Sequence, residues 1–153
     1  MEYRILTSYF RKWSICKNKM PEPISVALSK PIGMEMKEMP LLMPTKQMLF
    51  QYKKGILTDK MYREEFLREL DRRFPKGPSR LLELLPPECV LLCWEAKGKF
   101  CHRHIIAEWL SPIVVVKEFS DTPYGQDPGR FHYTPDAQTR CKYHRIPKKG
   151  GKI

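Results

Sequence analysis

The stretch Cys89-Val90-Leu91-Leu92-Cys93, followed by Trp94-Glu95-Ala96-Lys97-Gly98-Lys99-Phe100-Cys101, then His102-Arg103-His104-Ile105-Ile106-Ala107-Glu108-Trp109-Leu110, and after Pro112 the run Ile113-Val114-Val115-Val116-Lys117-Glu118-Phe119, decides the fold. Five apolar residues at 89–93 read as a strand buried on both faces, as in a parallel sheet covered by helices. The polar step through Gly98 is a loop. Residues 102–110 carry Ile105, Ile106, Trp109 and Leu110 at helical spacing, so they predict a helix with one apolar stripe. Residues 113–119 are β-branched and predict a further strand. Strand, helix, strand in that order makes a right-handed crossover between parallel strands.

Working outward gives the same texture. Tyr3–Phe10 mixes β-branched and aromatic residues and predicts a first strand. Arg11–Lys19 predicts a loop or short helix, and Ile24–Leu28 a second strand. Ser29–Met43 holds Pro31, Gly33, Pro40 and four methionines, and reads as a long covering connection. Thr45 is suited to cap a helix that stops at Gly55. Thr58 is suited to cap a clearer helix to Arg73, with Tyr62, Phe66 and Leu70 on one face. Ser79–Leu85 predicts a short helix between Pro78 and Pro86. The sum is an α/β domain over 1–119, a mainly parallel sheet with helices on both faces.

From 121 to 153 the chain carries four prolines, four glycines and no hydrophobic period. From Arg130 onward seven lysines and arginines face one acid, Asp136. Residues 120–153 therefore read as a basic C-terminal arm. The whole chain of 153 residues has a net charge of +11, with 42 % hydrophobic and 29 % charged residues. That balance supports a packed core. The charge attracts polyanions, so a nucleic acid or nucleotide is the expected partner. No apolar run is long enough to span a bilayer and no long apolar leader opens the chain. The expected setting is cytoplasmic, without a membrane partner. The five cysteines have no disulfide-like spacing. In a reducing compartment they stay thiols, available for packing, metal binding or reaction.

In open parallel sheets ligands bind beyond the carboxyl ends of the strands. Cys93 ends its strand there, Glu95 follows, and Cys101, His102 and Arg103 open the next helix. These five residues are the candidate catalytic set. Free N–H groups at a helix start favour an anion or thiolate, and a guanidinium suits phosphate. Glu95 is the expected ionic partner of Arg103. Thr7, Ser8 and Tyr9 from the first strand, Ser29 and Lys30 from the second, and His104 complete the candidate ligand-binding rim. In the arm, Arg130, Arg140, Lys142, Tyr143 and Arg145 interleave cations with an aromatic ring, a pattern suited to gripping a nucleic-acid backbone beside stacked bases.

The segment Val90–Glu95, with Phe100–Leu110, resembles the hallmark of the domain-of-unknown-function 488 family: a strand ending in Cys-x-Glu, a short loop, then Cys-His-Arg opening a helix with Ala-Glu-x-Leu downstream. Ile5–Phe10, Leu42–Thr45, Tyr52-Lys53 and Gly55 resemble other parts of the family more loosely. The resemblance spans about Tyr3 to Phe119 and leaves the basic arm outside. It implies an α/β sheet fold and no settled activity.

Three functions compete. The first is a protein that binds a phosphate-bearing ligand or nucleic acid, DNA or RNA, through Arg103, Lys30 and the arm. The second is a thiol-dependent enzyme with Cys93 or Cys101 as nucleophile and His102 or Glu95 moving protons. Nine residues separate Cys93 from Arg103, too many for a phosphatase loop. The third is a zinc protein, in which Cys141 or His144 joins Cys93, Cys101 and His102. There is no paired Cys-x-x-Cys, so spacing alone assigns neither a metal nor a cofactor.

Overall fold

The computed structural model describes residues 2–120. Its sheet has five strands, all parallel, in the order β3-β2-β4-β1-β5. They are β1 (Arg4–Tyr9), β2 (Glu22–Ser25), β3 (Lys37–Glu38), β4 (Glu88–Cys93) and β5 (Lys117–Glu118). The helices are α1 (Phe10–Cys16), α2 (Lys46–Lys53), α3 (Asp59–Arg73), α4 (Pro78–Leu84) and α5 (His102–Leu110). This is the α/β architecture that the apolar strands and the crossover pattern predict. Among the described residues no helix is long and apolar enough to cross a membrane.

The two central strands, β1 and β4, pair over their full length, from Arg4 beside Glu88 to Tyr9 beside Cys93. Their connections run in opposite directions. The chain leaves β1 for β2 across β4, and leaves β4 for β5 across β1. Right-handed crossovers in opposite directions put the following helices on opposite faces of the sheet. The neighbouring strands β2 and β4 lead away from each other, β2 to β3 and β4 to β5, and a cavity opens beyond their carboxyl ends at this switch point of the topology.

Two strands depart from their expected limits, each for a visible reason. β2 ends at Ser25, not Leu28. The Val26 N–H still reaches the Leu92 carbonyl at 2.9 Å, but the Val26 carbonyl is taken by the His102 ring at 2.6 Å. Residues 113–119 do not form one strand. The Ile113 and Val114 N–H groups both bond back to the Leu110 carbonyl at 3.0 Å, which ties the segment to the end of α5. Pairing with β1 begins only at Lys117. The covering connection 29–43 contains the edge strand β3, which pairs two residues with β2.

The helix limits follow their caps. The Thr45 and Thr58 hydroxyls accept from the Met48 and Met61 N–H groups at 3.0 and 3.1 Å. α3 buries Tyr62, Phe66 and Leu70, the predicted stripe. α5 lies between α3 and the sheet, and every one of its residues is buried. Position 120 is the last described residue; the proposed arm, with Arg130, Arg140, Lys142, Tyr143 and Arg145, lies outside.

Candidate metal centre at the switch point

Three side chains meet at the carboxyl end of β4. Cys93 closes the strand, Cys101 is the N-cap of α5, and His102 is its first residue. Their donor atoms all lie within 4.8 Å of one another, and all three residues are buried. His102 Nδ1 is 3.7 Å from Cys93 Sγ and 3.9 Å from Cys101 Sγ. The loop that brings them together turns at Ala96–Lys99, with Gly98 at φ 88°, a conformation that suits glycine. The Cys101 sulfur makes no capping bond to the helix it opens.

The tautomer of His102 follows from its other nitrogen. A carbonyl only accepts, so Nε2 carries the hydrogen that Val26 receives. With Nε2 as the donor, Nδ1 is the nitrogen whose lone pair can face the two sulfurs. Phe66 packs edge-on to the imidazole at 5.5 Å and holds its plane. Burial is the largest cause that pushes the Cys101 thiol well above its ordinary pKa; the neighbouring Cys93 adds to this, while Arg103 and His102 oppose it.

Arg103 does not share this hollow. It is 0 % exposed, and its Nε and one terminal nitrogen bond the two Glu118 carboxylate oxygens at 3.3 and 2.9 Å. Its other terminal nitrogen donates to the Glu95 backbone carbonyl at 2.7 Å. The expected carboxylate partner, Glu95, is thus replaced by Glu118, which also accepts from the Thr7 hydroxyl at 2.5 Å. The guanidinium lies over the Tyr9 ring at 5.9 Å. Arg103 therefore ties α5, β5, β1 and the site loop together.

Glu95 keeps its own side chain exposed, and one oxygen accepts from the Cys93 thiol at 3.5 Å. It borders a cavity of about 160 Å³. Ser29, Tyr52, Tyr62, Trp94 and Phe100 line that cavity, together with Cys93, Cys101 and His102. Of the other rim candidates, Ser8 is buried with an unpartnered hydroxyl, Lys30 is half-buried and His104 is buried; none of the three lines the cavity.

A family model described as the active DUF488-N3 subclade matches residues 18–113. The chain belongs to the DUF488 family. The match takes in β2 through α5, and so the Cys93, Cys101 and His102 of this DUF488 domain. No curated protein and no solved structure matches the chain. The aromatic lining of the DUF488 site had little local signal. Tyr62 reads as core stripe because it is one, and Tyr52, Trp94 and Phe100 reach the cavity only through the tertiary fold. The Val26 carbonyl was unreadable for the same reason.

Proposed function

We propose that the domain is a metal-dependent enzyme whose centre is held by Cys93, Cys101 and His102, with zinc as the ion that fits best. The spacing of the donors carries the reading. A tetrahedral zinc with bonds of about 2.3 Å to sulfur and about 2.0–2.1 Å to nitrogen separates those two ligand atoms by about 3.6 Å. The observed sulfur–nitrogen separations of 3.7 and 3.9 Å need little adjustment. Metal-bound histidines commonly donate their second N–H to a carbonyl or carboxylate, as His102 does to Val26. Structural zinc sites close with four protein ligands, whereas catalytic ones keep three and leave a position for water or substrate. Among the described residues the cluster has three, and a cavity beside them. The description of the matching subclade as active agrees with a catalytic role.

A bound zinc supplies Lewis acidity and a water ionised near neutral pH. The chain supplies the rest. The exposed Glu95 carboxylate is within reach of the cavity and serves as proton acceptor. Burial raises Tyr52 and Tyr62 above the ordinary phenol pKa, so both stay neutral; the Tyr52 hydrogen is held by Asp59, which leaves the Tyr62 hydroxyl as the donor. Cys101 as a free nucleophile is less favoured, because attack requires the thiolate and burial, unopposed by a metal, raises the pKa of this thiol. Phosphate capture by Arg103 is less favoured too, since Glu118 neutralises it. A reducing cytoplasm would keep both thiols available.

The test is metal analysis of the full chain expressed with zinc, followed by Cys93→Ser, Cys101→Ser and His102→Ala. Close to one zinc per chain is expected, lost in each variant and retained in Cys141→Ser and His144→Ala. A metal-free protein after zinc exposure, or loss of zinc only in the last two variants, would sink the proposal. The run from Arg130 onward, seven lysines and arginines against one acid, separately favours a polyanion held by the arm. Oligonucleotide binding across a salt series, with and without residues 121–153, checks that reading.

A further inference from the structure

We infer that the cavity beside Cys93, Cys101 and His102 receives a single neutral heteroaromatic ring that presents an N–H or amine edge to Glu95. The inference rests on the proposed function for its chemistry, but not for the recognition itself. Size limits the occupant. The space is about 160 Å³, and an apolar cavity of about 150 Å³ takes one benzene-sized ring. A dinucleotide cofactor is far too large for it.

The walls choose the kind of ring. Tyr52, Tyr62 and Phe100 pack on one another with centroids 5.2–5.4 Å apart, offering a mosaic of faces and edges. Aromatic pairs favour such tilted and edge-to-face contacts. Trp94 adds a fourth aromatic side chain. These walls are fixed before anything binds. The Tyr52 hydroxyl donates to Asp59 at 2.6 Å, and Trp94 Nε1 donates to the Ser29 carbonyl at 2.6 Å while Phe10 abuts its ring at 5.1 Å. Fixed walls reduce the ordering cost of binding.

Charge sets the polarity of the occupant. The side chains that line the cavity include one cation, Lys53, and one carboxylate, Glu95, with no surplus positive charge for an anion. An ionised carboxylate only accepts hydrogen bonds, so the ligand must bring the donor. A planar heterocycle with an exocyclic amine satisfies size, walls and charge together.

Saturation-transfer NMR and calorimetry on the full chain would use cytosine, 4-aminopyrimidine, cytidine monophosphate, and cyclohexanecarboxamide as a neutral, non-aromatic N–H donor of similar size. A free base should bind at least tenfold more tightly than cyclohexanecarboxamide. Phe100→Leu and Glu95→Gln should each weaken it about tenfold, with circular dichroism unchanged. Tighter binding of a monophosphate than of its base still seats the ring and assigns it to a nucleotide; tighter binding of the base assigns it to a free heterocycle. Equal affinity for cyclohexanecarboxamide, or no binding by any base, overturns the inference. Metal analysis of the native chain beside the same titration separates the two claims. Ring binding by a native chain that takes up no zinc would end the metal reading and leave this one standing; a zinc-loaded native chain that ignores every base would do the reverse.

Discussion

Replacing Glu118 by Gln keeps the shape of the side chain and removes its charge. Arg103, 0 % exposed, would then retain the Glu95 carbonyl and an amide in place of a carboxylate. Breaking a buried ion pair from one side costs about 3–5 kcal/mol, because the remaining charge stays out of water uncompensated. Total stabilities lie at about 5–15 kcal/mol, so this loss is a large share. For a folded unit of this size each kcal/mol moves the melting temperature by roughly 3–6 °C, giving a fall of about 9–30 °C. Urea unfolding followed by circular dichroism measures the loss, with the slope unchanged. The double variant Arg103→Met with Glu118→Leu should recover to within about 2 kcal/mol of the native chain, since a matched apolar pair removes both charges. A Glu118→Gln loss below about 1 kcal/mol would refute the structural role given to Arg103 and return its guanidinium to the candidate ligand contacts.

Thr58→Ala removes the acceptor at the start of α3 and should cost about 1 kcal/mol by urea unfolding. Phe66→Ala empties a fully buried position against the His102 ring and should cost about 3–5 kcal/mol, with weaker zinc retention. Cys89 is 0 % exposed, and burial is the main cause that pushes its thiol up to about 12. The unfolded thiol ionises near 9.0 while the folded one stays protonated, so stability falls as pH rises from about 9 to 12, by up to about 1.4 kcal/mol per unit. Stability curves of the native chain and Cys89→Ala over that range check this; identical slopes would contradict it. Deleting residues 121–153 should flatten the dependence of oligonucleotide affinity on salt, and an unchanged slope would remove the arm from the contact.

The legible parts of the fold were those dictated by local chemistry. Cys89–Cys93 had to be a doubly covered strand, Thr58 had to start a helix, and His102–Leu110 had to be apolar along its inner face. The parts that resisted were decided by partners distant in sequence. Val26 leaves the sheet because His102, 76 residues away, claims its carbonyl. Residues 113–116 fold back on α5 in spite of their β-branched side chains, since the Leu110 carbonyl holds two of their N–H groups. At the site, the meeting of Cys93, Cys101 and His102 was readable from a strand end facing a helix start. The fate of Arg103 was not, because Glu118 sits fifteen residues on and reaches it only through the crossover.

X-ray absorption at the zinc edge of the purified full-length protein looks at the ion's immediate neighbours without needing a substrate. Two sulfurs at about 2.3 Å, one imidazole nitrogen at about 2.0–2.1 Å and one light atom from water is the expected shell. A shell of nitrogen and oxygen alone, or one of four sulfurs without an imidazole, would contradict it.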